Sequence, residues 1–248
     1  IWGDHARVAS GSDYWGKMHD PFDPKFEQNV RNALRPLVQH IGDDPWCIGY
    51  FVDNELSWAG GSEDGGRYGL AYGALREDAA NSPAKRAFLE QLRAKYGQIE
   101  YLNTAWGTSF ADWSALEKPV VLEPPSTDAR KQDFSAFVKS LAQQYFRTVR
   151  SVLKELAPNH LYLGCRFAWW GQEAVEAAAE YCDVVSFNIY APRVERERYA
   201  IVERLDKPAI IGEFHFGALD RGMFHPGLVA AKDQQDRARM YKDYLTSV

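Results

Sequence analysis

The stretch Cys47–Trp58, CIGYFVDNELSW, decides the fold. Its apolar run from Ile48 to Val52, interrupted by one glycine, stops at three adjacent polar residues, Asp53, Asn54 and Glu55. A short continuous apolar run reads as a strand covered on both faces, and the C-terminal ends of such strands are where α/β barrels place their chemistry. Glu55 is therefore a candidate catalytic carboxylate. The pattern returns in Pro208–Phe214, PAIIGEF, where an apolar run closes on Glu213. Taken singly, either glutamate could equally be a solvated loop residue or a neighbour of a helix cap. As a pair at the mouth of a parallel sheet they point to use by a metal, a cation or a substrate. Two facing glutamates suit glycosidic cleavage, one as acid/base and one as nucleophile.

A retaining double displacement asks for carboxyl groups ~5 to 5.5 Å apart, one attacking the anomeric carbon and the other protonating the leaving oxygen before activating water. Mutual repulsion with partial burial should keep one of the two protonated, and the residues alone do not say which.

With 248 residues, 46% of them hydrophobic and 25% charged, the chain has the composition of an ordinary globular protein. A net charge of −5 leaves no basic surface for a phosphate backbone, so no nucleic acid partner is expected and a neutral ligand fits better. Cys47, Cys165 and Cys182 are widely spaced in apolar runs and read as three buried thiols. No HExxH, paired CxxC or glycine-rich phosphate loop occurs, so neither a metal nor a cofactor is expected. No apolar run reaches the ~18 residues of a membrane span. The chain opens at Ile1 without a methionine or a charged-then-apolar leader, so its native N-terminus is expected to lie upstream.

Residues 1–20, rich in Gly, Ser, Asp and aromatics, read as a loop that could line a pocket. Asp23-Pro24 opens a helix to Gly42 with Phe26, Val30, Leu34 and Leu37-Val38 on one face. Residues 60–81, GGSEDGGRYGLAYG at their start, read as a mobile loop and possible lid. Ser82-Pro83 starts a helix that Gly97 stops, and 99–113 forms a compact aromatic helix and turn. An extended connector over 119–125 leads to a long core helix over 128–156. The second half alternates strand and helix: strands over 161–167, 184–189 and from Ala209, helices over 172–181 and 195–205. A charged helix over 233–245 ends the chain. That gives four strands where a closed barrel has eight in about 250 residues. The fold class is α/β, a (β/α)8 TIM barrel, incomplete in this chain.

IGYFVDNELSW, followed far downstream by IIGEFHFGALDRGMFHPGL, closely resembles the catalytic segments of glycoside hydrolase family 50, the β-agarases, in the clan of retaining (β/α)8 glycosidases. YLNTAWGTSF also resembles family 42 β-galactosidases. The resemblance implies that residues 1–248 are one partial catalytic domain spanning about strands four to seven, with Glu55 the acid/base after the fourth and Glu213 the nucleophile after the seventh. It implies that Asn54 holds the sugar 2-hydroxyl, that Tyr190 hydrogen-bonds Glu213, and that the substrate is agarose or agaro-oligosaccharide. It also implies action outside the cytoplasm, secreted or periplasmic. Family 42-like β-galactosidase activity and a non-catalytic sugar-binding remnant are the alternatives.

Other residues near strand ends have two readings each. His215, two residues past Glu213, is a substrate contact or a hydrogen-bonded structural histidine, and His225 is a weaker candidate. Arg166, like Asp220-Arg221, could hold a hydroxyl or a salt bridge. Trp58, Trp169 and Trp170 could stack on pyranose rings, at least one of them being core instead. If strands three and eight are absent, Ile48–Val52 and Ala209–Glu213 lack neighbours, and the missing barrel segments of the parent chain become the expected partner.

Overall fold

A computed structural model describes residues 1–248. The chain forms six short strands and eleven helices, six of the helices in succession between the third strand and the fourth. Strand β1 (Arg7–Val8) pairs antiparallel with β2 (Met18–His19), Arg7 opposite His19. Residues 1–20 are thus a small hairpin rather than featureless loop, with strands too short to show a period in sequence. The hairpin's connection carries Tyr14 and Trp15.

Helix α1 (Pro24–Ile41) starts where Asp23 caps the Lys25 amide at 2.9 Å and Pro24 presets φ. Phe26, Val30 and Leu34 are buried along one stripe, but Leu37 is 53% exposed, so the stripe stops a turn early. Strand β3 (Gly49–Tyr50) follows.

Residues 60–81 are a correction to the lid reading. They hold α2 (Asp64–Arg67) and α3 (Gly69–Arg76), and every residue from Gly69 to Leu75 is buried. The glycines serve close approach: a Cβ on Gly69 would lie 1.7 Å from the Ser10 carbonyl oxygen, and one on Gly73 1.9 Å from that of Ala9. The helix packs directly under the hairpin. Then come α4 (Pro83–Tyr96), capped by Ser82 and ended at Gly97 with φ 66°, α5 (Ile99–Trp106) and α6 (Trp113–Glu117).

Helix α7 (Asp128–Leu156) is the organising column, with Phe134, Phe137, Leu141, Tyr145, Val149 and Val152 buried at helical spacing. It packs on α1 and on α8 (Gln172–Tyr181). Between α7 and α8 lies β4 (Leu161–Tyr162), parallel to β3, and after α8 comes β5 (Val185–Asn188). Helices α9 (Arg196–Tyr199) and α10 (Ile201–Leu205), expected as one, lead to β6 (Ala209–Glu213), parallel to β5. Helix α11 (Gln234–Ser247) closes the chain.

The expected continuous strand over 161–167 is interrupted. Gly164 (φ 82°) and Arg166 (φ 53°) take left-handed backbone, which breaks the ladder into separate two-stranded sheets. Hydrogen bonds still link all four parallel segments in chain order: Val52 N–H to Gly164 O at 3.0 Å, Phe167 N–H to Ser186 O at 2.8 Å, and the β5–β6 ladder beyond. Nor is the first segment covered on both faces. Tyr50 and Val52 are buried, while Phe51 on the opposite face stays 36% exposed. Cys165 and Cys182 are buried and Cys47 half-buried, all three free. No helix is long and apolar enough to cross a membrane.

Asp183 ties this βα stack together. Its carboxylate accepts from the Tyr162 amide at 2.9 Å and pairs with Arg150 at 3.0 Å and Lys154 at 2.9 Å on α7. Partial burial alone would raise its pKa, but the amide and the two cations outweigh that and hold it at about 2, against an ordinary 3.8. A depressed folded-state value contributes stability above the unfolded pKa and loses it as pH falls through the folded one. Asp183→Asn is therefore expected to lower the urea midpoint at pH 7, and the gap to wild type should narrow between pH 4 and pH 2. A gap independent of pH would show that the ionised carboxylate is not the stabilising form.

Candidate active site

The polar ends of the four parallel segments converge on a cavity of about 550 Å³. Glu55, Glu213, Asn54, Tyr190, His215 and Trp169 all line it. Two backbone features aim Glu55 inward. Asp53 and Glu55 take left-handed backbone, φ 62° and 50°, and the Glu55 amide turns back onto the carbonyls of Cys165 (3.3 Å) and Arg166 (3.2 Å). Non-glycine residues in this region cost of order 1–3 kcal/mol each and persist only where their surroundings hold them.

Glu55 is 8% exposed, and both its oxygens are occupied. Oε1 accepts from the Asn188 side-chain amide at 2.8 Å and Oε2 from the Trp15 indole at 3.0 Å. Glu213 is held differently: Oε2 accepts from the Tyr190 hydroxyl at 2.6 Å and Oε1 pairs with Arg166 at 2.8 Å. Burial first, then the hydrogen bond to Glu213, push the Tyr190 phenol up to about 12, so it remains a donor at any working pH. Asn188 stands between the two strand ends. A register shift after Phe187 sets Asn188 opposite Glu213 in the β5–β6 pair, and its side chain reaches across to Glu55 and, at 3.2 Å, to Asn54 Oδ1.

His215 is a hydrogen-bonded histidine that also lies on the cavity wall. It lines the cavity, packs edge-on against Tyr190 with ring centroids 5.1 Å apart, and accepts the Leu228 amide at Nε2, which leaves Nδ1 as the protonated nitrogen. Gly227 makes that contact feasible: its φ is 76°, and a Cβ there would sit 2.1 Å from the His215 ring. Arg166 takes the salt-bridge reading, and besides Glu213 it meets the Phe51 ring face at 5.3 Å. It faces an adjoining cavity with Asp53 and Lys17 rather than the main one. Asp220 bonds Gln234, and His225 only the Gly227 amide, both away from the cavity.

Trp58 is a correction. It is fully buried, stacked on Phe146 at 5.3 Å and edge-on to Tyr145, and so has no face to offer a sugar. The apolar column of α7 claims it. Trp170 packs on Phe187 and Tyr199. Trp169 remains at the cavity wall, its ring 4.8 Å from that of Tyr14. Three site residues escaped the sequence reading: Tyr14, Trp15 and Asn188. Asn188 had a signal, because it ends the apolar run of β5 as Glu55 and Glu213 end theirs. The hairpin aromatics had none beyond composition. No three His, Cys, Asp or Glu side chains converge as metal ligands.

A family model described as beta-galactosidase, that of glycoside hydrolase family 42, matches residues 14–221. Over all of its length the chain is 46% identical to beta-agarase B of Vibrio sp. strain JT0107, and over 96% of it 40% identical to beta-agarase A of the same organism. It covers 26% and 25% of those two proteins, about a quarter of each. A solved exo-beta-agarase superposes on the whole chain with a TM-score of 0.96 at 43% identity, the chain covering 34% of it. The family 42 β-galactosidase Gan42B, at 18% identity and a TM-score of 0.51 over 92% of this chain and 40% of its own, shares the fold alone. The four parallel segments and their helices are thus a fragment of a glycosidase TIM barrel. With the family model matched over most of its length, the chain belongs to the glycoside hydrolases described as beta-galactosidase, family 42, and its whole-length likeness is to the family 50 β-agarases.

Proposed function

We propose that this chain carries the catalytic centre of a retaining glycoside hydrolase that cleaves β-linked galactose-containing polysaccharide, agarose or its oligosaccharides. One observation carries the reading: Glu55 and Glu213 open into a single cavity, and Asn188, which stands opposite Glu213 in the β5–β6 pair, donates to Glu55. Glu213, oriented by Tyr190 and Arg166, attacks the anomeric carbon. Glu55 protonates the departing oxygen and then deprotonates water. Asn54 meets the sugar 2-hydroxyl, and Trp169 and His215 contact the ring and its hydroxyls. In this reading residues 1–248 form one partial catalytic domain, with the parallel segments as barrel strands four to seven. The remaining strands come from the longer protein that contains them, which acts outside the cytoplasm.

The expected first product keeps the anomeric configuration of the substrate, read by NMR before mutarotation. Inversion would end the reading, since a nucleophile and acid/base pair cannot produce it. The family 42 match favours one alternative, a β-galactosidase of small substrates. Comparing kcat/KM on neoagaro-oligosaccharides and on an aryl β-galactoside separates the two. A preference for the oligosaccharides of about tenfold or more is expected, and the opposite preference selects the alternative.

A further inference from the structure

Behind Glu55 lies a buried polar chain that the proposed chemistry does not use. Asn29 Nδ2 donates to His5 Nδ1 at 3.0 Å, and His5 Nε2 meets His19 Nδ1 at 2.7 Å. Arg7 also donates to His19 Nδ1, at 2.8 Å. An arginine has no acceptor, so His19 Nδ1 must be unprotonated and its proton must sit on Nε2, which lies 3.3 Å from Asp53 Oδ2. The same Oδ2 accepts the Tyr145 hydroxyl at 2.6 Å. Every bond therefore runs one way, toward Asp53. His5, His19, Tyr145 and the Asp53 carboxylate are all nearly inaccessible to solvent. Burial, foremost, pushes both imidazoles below their ordinary range, to about 4 for His5, in keeping with neutral rings.

We propose that Asp53 is a positioning residue for Glu55: the one-way chain from Asn29 through His5 and His19, joined by Tyr145, clamps the Asp53 carboxylate and so holds the left-handed turn that aims Glu55. The turn needs such a clamp, because Asp53 and Glu55 both occupy backbone that their side chains disfavour. At the far end the Glu55 carboxylate is held by Asn188 and the Trp15 indole, and Trp15 is itself mostly exposed. Asp53 is the buried anchor. The clamp also demands an acceptor. An asparagine at 53 would present an amide to donors on one side or the other, and His19 cannot reverse its tautomer while Arg7 and His5 both donate to Nδ1.

The inference rests on the reading of Glu55 as proton donor, and the test keeps the two apart. In the protein that contains this chain, Asp53→Asn is expected to lower kcat on an unactivated oligosaccharide about ten- to a hundredfold with KM changed less than about threefold. With an activated aryl leaving group, the loss in the glycosylation rate should be less than about threefold, because that step needs no donated proton. Tyr145→Phe keeps the ring packing and removes one bond to Asp53, so it should show the same split at about three- to tenfold. It also guards against a misfolded Asp53→Asn. Equal losses on both substrates, or no loss in Tyr145→Phe, would overturn the positioning role, because a merely structural defect removes active molecules without regard to leaving group. If Glu55→Gln itself shows no leaving-group split, the proton-donor reading fails, and this inference goes with it.

Discussion

Glu213→Gln is expected to lower turnover of the oligosaccharide by at least about 10⁴-fold, some 5.4 kcal/mol of transition-state stabilisation. No glycosyl-enzyme should form, because an amide oxygen is too weak a nucleophile at the anomeric carbon. The environment predicts a second, smaller effect. The native carboxylate accepts from Tyr190 on one oxygen and Arg166 on the other, and a glutamine has only one acceptor to give them. A modest fall in melting temperature should accompany the loss of activity, too small to account for it. Intact-mass measurement with a slow substrate checks the chemistry: a covalent adduct on the variant, or turnover within tenfold of wild type, would show that Glu213 is not the nucleophile.

Glu55→Gln should behave differently on the two half-reactions. Loss of general acid–base catalysis typically costs about 10²- to 10⁴-fold, so turnover of an unactivated oligosaccharide should fall into that range. An activated aryl glycoside leaves without a proton, and its first step should survive. Hydrolysis of the intermediate still needs a base and should become limiting, giving a burst of aryl alcohol equal to the enzyme present followed by a slow steady state. Added azide, which needs no deprotonation, should speed that second step. A uniform slowing of both steps, with neither burst nor rescue, would remove Glu55 from proton transfer. Asn188 and Trp15 both donate to the native carboxylate, so the glutamine again satisfies only one of them, and the variant's fold should be checked by its unfolding midpoint.

Much of this architecture was legible in the chain. Capped helices such as Pro24–Ile41, Pro83–Tyr96 and Asp128–Leu156 announce themselves through Asp23-Pro24, Ser82-Pro83 and a sustained apolar period. What failed has common causes. Glycine-rich residues 60–81 read as mobile because local composition cannot show that another backbone presses against Gly69 and Gly73. Trp58 read as a sugar platform because position after a strand does not reveal that α7 covers it. Helix Glu195–Leu205 was expected whole and is two short pieces.

The sequence by itself determined the strand-end carboxylates, the helices between them and the family likeness, because each is written in contiguous residues with a local period, cap or motif. The tertiary structure alone decided how the site is held. Asn188 reaches Glu55 across 133 positions of chain, Tyr145 reaches Asp53 across 92, and the Trp15 indole reaches Glu55 across 40. Such pairings depend on strand register, on one bulge at Phe187 and on left-handed backbone at Asp53, Glu55 and Arg166. Those features arise when separate elements pack and their polar groups must find partners away from water, a condition that no single stretch of residues contains.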